Sequence, residues 1–394
     1  MTTVTHEQTR SWLINGALVA GSLAFALLLA EIVLRVIGFS APVLWTYDDV
    51  AGSKLLAGAE GWYRDEGEAF ITINRDGLRD REHSRTKPSN TVRIAILGDS
   101  MAEALQVPLE STFWSVLERQ IKNCKAFGDR NVEIINFGVS GYGTAQQLLT
   151  YQHRASAYSP DVTVLAFYAG NDVRNNSKEL EPFKLRPFFN IRNGSLVLDN
   201  SFLSDREYLS FKSNFDKRKM LFSFRTFQLI RKLKFVFEQW EGAKTGAARD
   251  TNIEPGLDDN VFLAPTANAW KDAWQVTERL IVAIRDEVVA GGGRLLVVSI
   301  PIGIQAHPNP EVRNRFMRTL HVDDFWYPET RIREFAEREK VDTITLGRTF
   351  QTYAENNQVY LYGFKNTRLG TGHLNENGHR LVGESVAKHL CQSK

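Results

Sequence analysis

Four short stretches of the chain carry residue types that can perform acyl transfer: "GDS" (98–100), "NFGVSGYG" (136–143), "GND" (170–172) and "GHLNENGH" (372–379). A serine hydroxyl is a weak nucleophile until a base removes its proton, and the oxyanion that then forms needs hydrogen-bond donors. Ser100 offers the hydroxyl and His373 the base, while the glycine-rich turn of the second stretch offers backbone donors and Asn171 a side-chain donor. These residue types together predict a serine-nucleophile site with an oxyanion hole.

The first three stretches each follow an apolar run that is typical of a buried strand. Because the carboxyl ends of parallel strands meet at one edge of a sheet, we expect Ser100, the glycine-rich turn and Asn171 to lie close together. By itself, Ser100 could also be only the cap of the following helix. His373 is expected in a loop before a helix that Asn375 caps. His379 falls on that helix, where we expect a packing role.

The elements that must position these residues alternate along the chain from Val92 onward. Apolar runs predict strands at 92–97, 132–136, 161–168, 294–300 and 341–346, and helical patterns fall at 112–122, 144–157, 269–290 and 328–340. Strands that alternate with helices predict a doubly wound α/β domain with a parallel sheet.

In this order, the four stretches resemble the sequence blocks of the SGNH/GDSL hydrolase superfamily, over about residues 92–390 without an internal insertion. The resemblance implies a flavodoxin-like three-layer sandwich and an enzyme in which Ser100 is the nucleophile and His373 the base. It also implies an oxyanion hole formed by the Ser100 N–H, the Gly141 N–H and the Asn171 side chain.

The chain departs from this family in the acid that should accompany the histidine. Family members usually carry an aspartate two or three residues before it, where this chain has Thr371 and Gly370. The carboxylate normally holds the imidazole tautomer, and its loss in a serine protease costs about 10⁴ in turnover. Asp99 and Asp172 are expected to brace their loops by hydrogen bonding rather than to replace it. The alternatives are a Ser–His dyad oriented by a backbone carbonyl, an acid from elsewhere in the chain, or a weak or lost activity; we favour the first two.

The regular alternation stops between residues 173 and 265, a span too long for an ordinary connection, which predicts an inserted, lid-like helical segment. Residues 217–240 predict a basic amphipathic helix, in which arginines and lysines surround Phe222, Phe224, Phe227, Ile230 and Phe235. Such a helix binds a membrane surface or an anionic polymer, or it packs its aromatic side chains on the domain with its basic face in solvent. We favour packing on the domain.

Near the N-terminus, residues 12–30 contain no charged side chain. At about 1.5 Å per residue, a helix of this length nearly crosses a hydrocarbon core of about 30 Å. We therefore predict an uncleaved transmembrane anchor; a cleaved signal peptide is the alternative, with a shorter apolar region and a more basic start. Arg10 on one side, and Asp48 and Asp49 on the other, favour a cytoplasmic N-terminus and an extracytoplasmic, periplasmic catalytic domain.

The predicted organisation is a cytoplasmic N-terminus (1–10), the transmembrane anchor (11–38), a stalk that packs onto the main domain (39–90) and the hydrolase domain (91–394), with the insertion at about 173–265. Lys and Arg number 48 against 46 Asp and Glu, without a long basic run, so nucleic acid is excluded as a partner. Cys124 and Cys391 are too few for a zinc cluster, and they either form a bridge or stay free. We predict no metal and no cofactor.

The predicted function is that of a membrane-anchored serine esterase that removes acyl groups, chiefly acetyl, from a carbohydrate or surface polysaccharide. One alternative is a polysaccharide O-acetyltransferase that uses the same Ser–His site. A second is a weakly active or inactive carbohydrate-binding or assembly factor. The predicted partners are the ester substrate and the membrane; the sequence identifies no protein partner.

Overall fold

The computed structural model describes residues 6–244 and 258–392. Its strands are β1 (Trp45–Asp48), β2 (Gly52–Leu55), β3 (Glu60–Tyr63), β4 (Ala69–Thr72), β5 (Thr91–Gly98), β6 (Asn131–Asn136), β7 (Val162–Tyr168), β8 (Phe188–Arg192), β9 (Ser195–Asp199), β10 (Arg294–Ile300) and β11 (Asp342–Thr345). Its helices are α1 (His6–Val36), α2 (Ser100–Glu103), α3 (Phe113–Cys124), α4 (Thr144–His153), α5 (Asp172–Asn175), α6 (Arg206–Arg218), α7 (Arg225–Lys244), α8 (Asn268–Ala290), α9 (Pro310–Leu320), α10 (Tyr327–Glu339), α11 (Gly347–Asn357) and α12 (Glu376–Gln392).

A five-stranded parallel sheet in the order β11-β10-β7-β5-β6 forms the centre of the larger unit. Numbered in chain order within the sheet, its strands run 2-1-3-4-5, which is the flavodoxin-like arrangement. Helix α3 packs against α12, and α4 packs against α8. The predicted three-layer α/β fold and its five strands are confirmed, with strand ends within two residues of the predicted ones.

The burial of these strands explains why they can be predicted from the sequence. All residues of β7 are buried, and in β5 only Thr91 is not. Central strands covered on both faces need apolar side chains at almost every position, so their sequences lose the alternation of a half-exposed strand. The edge strand β11 is largely half-buried, and its polar residues fit that position.

Within the predicted stalk (39–90), residues 45–72 form two antiparallel hairpins, β1–β2 and β3–β4. Apolar residues of these hairpins share a small core with residues that follow β5 and β6 in the main domain: Leu44, Ala51, Leu55, Ala69, Ile71 and Ile73 pack with Leu105, Val139 and Tyr142. The hairpins therefore lie next to the loops in which Ser100 and Gly141 were predicted to act.

The described residues form two compact units, one of residues 6–43 and 216–244 and the other of residues 44–215 and 258–392. In the smaller unit, α1 is long and apolar enough to cross a membrane, and most of its large apolar side chains are exposed. Of the predicted cytoplasmic tail (1–10), residues 1–5 lie outside the described residues, and residues 6–10 form the start of α1.

The insertion has the predicted structure of its own, with the β8–β9 hairpin and helices α6 and α7. The expectation that its aromatic residues pack on the domain is wrong for Phe224 and Phe235, which are exposed, as is Ile230. Phe222 and Phe227 instead pack against each other, with ring centroids 5.9 Å apart. Helix α7 therefore buries little of its apolar surface within its own unit.

The two cysteines form a disulfide between the ends of α3 and α12. Their Cα atoms are 6.2 Å apart, and 267 residues separate them in the sequence. This resolves the choice that composition left open between a bridge and two free thiols.

Candidate active site

Ser100 is the first residue of the one-turn helix α2, and only Asp99 separates it from the carboxyl end of β5. The side chain of Asp99 accepts a hydrogen bond from the Met101 N–H at 2.9 Å and is the cap of this helix. The interpretation of Ser100 as only a helix cap is therefore wrong. The Ser100 residue is 9% exposed at the edge of the sheet.

Asn171 is joined to the Ser100 loop through the same aspartate. Its Nδ2 atom donates a hydrogen bond to Asp99 Oδ2 at 2.9 Å, so the loops after β5 and β7 are held together. A carboxamide nitrogen has two hydrogens, and one donor thus remains beyond the contact with Asp99. Asn171 Oδ1 is buried and accepts no hydrogen bond within the described residues.

The acids Asp99 and Asp172 are both buried braces of these loops. Asp172 accepts a hydrogen bond from the Tyr168 N–H at 2.8 Å. Burial raises the pKa of Asp99, while hydrogen bonds from Met101 and Asn171 and the charge of His373 act in the opposite direction. Burial, together with the nearby Asp99, raises the pKa of Asp172 well above its ordinary value.

Gly141 lies in the loop after β6 with a φ of +76°, a left-handed conformation that glycine adopts without a steric penalty. The preceding residue, Ser140, donates to the Glu103 carboxylate from its backbone N–H at 3.1 Å and from its hydroxyl. On the other side, the Arg186 guanidinium donates to the Gly141 carbonyl oxygen. The Gly141 N–H itself donates to no other residue in the described parts of the chain. This backbone donor is therefore fixed from both sides and has no acceptor among the described residues.

Glu103, at the end of α2, is a residue that the sequence analysis missed. Its carboxylate also accepts a hydrogen bond from Trp45 Nε1 at 2.9 Å. Burial raises the pKa of Glu103 to about 7, although hydrogen bonds from Ser140 and Trp45 and the charge of Arg79 lower it. Through Ser140, the end of α2 is thus connected to the Gly141 loop.

His373 has a carboxylate partner that the sequence analysis did not identify. Its Nδ1 atom contacts Glu66 Oε2, and its backbone N–H donates to Glu66 Oε1 at 2.8 Å. Gly370 and Thr371 supply no acid, and the Thr371 hydroxyl donates to the Arg368 carbonyl oxygen instead. Of the alternatives left open above, the structure places an acid from elsewhere in the chain on the histidine.

The turn between β3 and β4 holds Glu66, and Asn366 locks this turn in place. The Gly67 N–H donates to Asn366 Oδ1 at 2.9 Å, and Asn366 Nδ2 donates to the Gly67 carbonyl oxygen at 3.0 Å. Gly372 has a φ of +80°, and a Cβ atom at this position would lie 2.1 Å from Glu66 Oε1. Only glycine lets the carboxylate reach His373 past this residue. The glycine before the histidine was the one signal of such an approach in the sequence.

Asn375 caps α12, as predicted, by accepting hydrogen bonds from the Asn377 N–H at 3.0 Å and the Gly378 N–H at 3.2 Å. His379 is buried on this helix, and its Nδ1 atom accepts a hydrogen bond from the Phe113 N–H at 3.3 Å. Burial lowers the pKa of His379 to about 3, with smaller contributions from the charges of Arg79 and His373. His379 is therefore a neutral interior residue.

Hydrogen bonds connect three of the loops that hold sequence-predicted residues. Asp99 links the Ser100 loop to Asn171, and Glu103 links α2 to the Gly141 loop. His373 is held separately, by Glu66. Within the described residues, no group of three or more His, Cys, Asp or Glu side chains could hold a metal ion. The arrangement offers a hydroxyl, an imidazole with a carboxylate, and hydrogen-bond donors, which is the set that acyl transfer requires.

Comparison with known proteins gives structural likenesses only. No protein-family model matches the sequence, and no curated protein matches it. The chain is similar to an acetyl xylan esterase, with 15% identity, 76% of this chain and 99% of that chain covered, and a TM-score of 0.37. It is similar to a catalytic mutant of an acetylxylan esterase from Geobacillus stearothermophilus (10% identity, 76% and 94% covered, TM-score 0.38). It is also similar to a GDSL-like lipase from Bacteroides thetaiotaomicron (10% identity, 79% and 93% covered, TM-score 0.35).

Proposed function

We propose that this protein is an ester hydrolase of the SGNH type that acts through Ser100, His373 and Glu66. The contact between Glu66 and His373 Nδ1 carries the proposal. A carboxylate at this position keeps the proton on Nδ1, orients the ring and stabilises the imidazolium that forms during the reaction. The Nε2 atom is then the basic nitrogen that accepts the Ser100 proton.

In the first half of the reaction, Ser100 Oγ attacks the ester carbonyl carbon while His373 Nε2 takes the hydroxyl proton. The carbonyl oxygen becomes an oxyanion, which accepts hydrogen bonds from the Ser100 N–H, the Gly141 N–H and the Asn171 amide. The carbon–oxygen bond to the alcohol then breaks, and the alcohol leaves with the proton from His373. The acyl group stays on Ser100 as an ester.

In the second half, His373 takes a proton from a water molecule, whose oxygen attacks the acyl-enzyme. The same donors hold the second oxyanion, and its collapse releases the carboxylic acid and returns the proton to Ser100. If a sugar hydroxyl replaces the water molecule, the same intermediate gives an O-acyltransferase.

We propose an acylated carbohydrate, such as an acetylated surface polysaccharide, as the substrate. The sequence resemblance and the candidate anchor support this class, because an anchored esterase is held at a cell surface. The anchor would be α1, with the N-terminus in the cytoplasm and Ser100 on the other side of the membrane. The Cys124–Cys391 disulfide supports this location, since disulfides persist in oxidising compartments.

The activity is tested with the full chain in detergent, using p-nitrophenyl acetate and a fluorophosphonate probe. We expect Ser100→Ala to abolish labelling and to reduce hydrolysis by about 10³-fold or more. Ser156→Ala, at a serine whose hydroxyl donates to the Gln152 carbonyl oxygen, is the matched control and should keep both. Labelling and hydrolysis that survive in Ser100→Ala would rule the proposal out.

Two further measurements address the substrate and the location. Acetylated oligosaccharides that lose acetyl groups in a Ser100-dependent reaction identify the esterase, whereas acetyl transfer to added oligosaccharides, seen by mass spectrometry, identifies the transferase. A phosphatase fused after Lys394 should be active in cells if the C-terminal part is periplasmic. An inactive fusion made in normal amounts would contradict the orientation.

A further inference from the structure

Helix α7, which the proposed reaction does not use, has a continuous apolar face. Leu229 and Ile230 lie three or four residues before Leu233, and Val236 and Phe237 lie three or four residues after it, so the five side chains lie along one side of the helix. Ile230 is 61% exposed, Leu233 59%, Val236 52% and Phe237 54%. A row of exposed apolar side chains of this length marks an interaction surface.

Basic residues lie on the other side of α7 and in the segment before it. Arg231 lies opposite the apolar face, Lys234 flanks it, and Lys217, Arg218 and Lys219 precede the helix. An apolar face with aromatic residues, combined with arginines and lysines, is typical of helices that lie in the surface of a membrane. The charge favours anionic lipid headgroups, to which basic side chains near a membrane are attracted.

The start of α7 is fixed to the end of the apolar helix α1. The Glu31 carboxylate, in the last part of α1, accepts hydrogen bonds from the Arg225 N–H at 3.0 Å and the Thr226 N–H at 2.9 Å. A carboxylate at this position pairs with N–H groups that have no partner inside the helix and interacts favourably with the helix dipole. Arg35 also donates to the Ser223 carbonyl oxygen at 3.0 Å.

These contacts fix the position of α7 relative to the end of α1. If α1 crosses a membrane, its last turn is where the chain leaves the hydrocarbon, and α7 begins at that level. A basic helix that starts in the headgroup region has its apolar face next to acyl chains. The lipid then covers this face, and no protein surface is needed to bury it. The smaller unit would then hold two membrane elements, one that spans and one that lies on the surface.

We propose that α7 lies in the membrane surface, in the leaflet from which α1 emerges, with its apolar face towards the acyl chains and its basic residues at anionic headgroups. The inference rests on the proposed membrane span of α1 and is independent of the ester-hydrolase activity. The insertion therefore returns the chain to the membrane after it has left it at the end of α1.

The test uses spin labels on the full chain in vesicles of phosphatidylethanolamine and phosphatidylglycerol. Leu233→Cys and Phe237→Cys report on the apolar face, Lys234→Cys is the matched control on the same helix, and Leu23→Cys reports on α1. The native cysteines are bonded to each other, so each label reacts with the introduced thiol. Collision rates with oxygen, which concentrates in lipid, and with a nickel chelate, which stays in water, are measured for each label.

We expect the ratio of oxygen to nickel collisions at positions 233 and 237 to exceed that at position 234 several-fold. Equal ratios at the three positions, with the Leu23 label in lipid, would overturn the inference and leave the membrane span intact. Labels at 233 and 237 that neither reagent reaches would show a protein partner or a second copy on this face and would also overturn it. A Leu23 label exposed to the nickel chelate would refute the span itself.

Discussion

The candidate site has two halves that are held in different ways. The nucleophile half, with Ser100, Asp99 and Asn171, is attached to the ends of buried strands, and its braces are buried carboxylates. The base half consists of His373 and Glu66, whose side chains are 29% and 14% exposed and come from two loops. In the sequence, 307 residues separate these two partners.

The difference shows which residues of such a site can come from different parts of a chain. Residues at strand ends are placed by the sheet, so the nucleophile and the oxyanion donors keep fixed positions relative to one another. The carboxylate only needs to reach Nδ1 of the imidazole, and any loop that packs there can supply it. In this chain the β3–β4 hairpin does so, because its apolar residues are packed against the loops of the site.

Among substitutions that test the two halves, Glu66→Gln is expected to have the largest effect on turnover. The substitution keeps the size of the side chain but removes the charge that stabilises the imidazolium, so kcat should fall by about 10³–10⁴. The measurement is steady-state hydrolysis of p-nitrophenyl acetate. Glu68→Gln, at an exposed glutamate of the same turn that pairs with Arg64, should keep wild-type kcat. Unchanged turnover in Glu66→Gln would mean that His373 works without an acid.

In the nucleophile half, Asn171→Ala should lower kcat by about 10²–10³ with little change in KM. The amide is expected to bind the oxyanion of the transition state, and the loss of one such donor has this size. Labelling by the fluorophosphonate probe should slow by a similar factor. Asn377→Ala, at an exposed position of α12, is the control for a general loss of stability. A change confined to KM would assign Asn171 to substrate binding only.

A smaller effect, roughly 10- to 100-fold in kcat, is expected from Asn366→Ala, because small displacements of a catalytic group are costly. Asn366 is a positioning residue that acts through the turn of Glu66. In Glu66→Gln, the added Asn366→Ala substitution should therefore cause almost no further loss. Additive losses in the double variant would show that Asn366 acts on the site by another route.

The smallest effect concerns pH and stability. Burial raises the pKa of Glu103 from its ordinary value of 4.5 to about 7, so the folded protein binds this proton more tightly than the unfolded chain. Its contribution to the free energy of unfolding is complete below pH 4.5 and is lost as the pH rises to about 7.

Glu103→Gln should remove this part of the pH dependence. The difference between the melting temperatures of the wild type and the variant, measured in detergent from pH 4 to 8, should therefore change across that interval. A difference that is constant with pH would contradict the raised pKa. Glu110→Gln, at an exposed glutamate paired with Arg81, provides a control for the removal of a surface charge.

Local sequence patterns predict a feature when its partners are close in sequence or when every residue of an element is buried. The five parallel strands were recognised because burial on both faces makes almost every residue apolar, and the Asn375 cap because its partners lie two and three residues away. The exposure of several apolar side chains in the insertion could not be predicted, since composition describes an amphipathic helix but does not say what covers it. Phe224, Ile230 and Phe235 are exposed within their own unit.

The α/β fold and the apolar N-terminal helix follow from the sequence alone, as does the proposal of Ser100, Gly141, Asn171 and His373 as site residues, because each belongs to a pattern of neighbouring residues. Tertiary structure alone decided that Glu66 accompanies His373, that Cys124 pairs with Cys391 and that Glu103 and Arg186 fix the Gly141 loop. The reason is physical. A single acid, thiol or guanidinium has no periodicity, and its partner is chosen by which surfaces the packed core brings within hydrogen-bond distance.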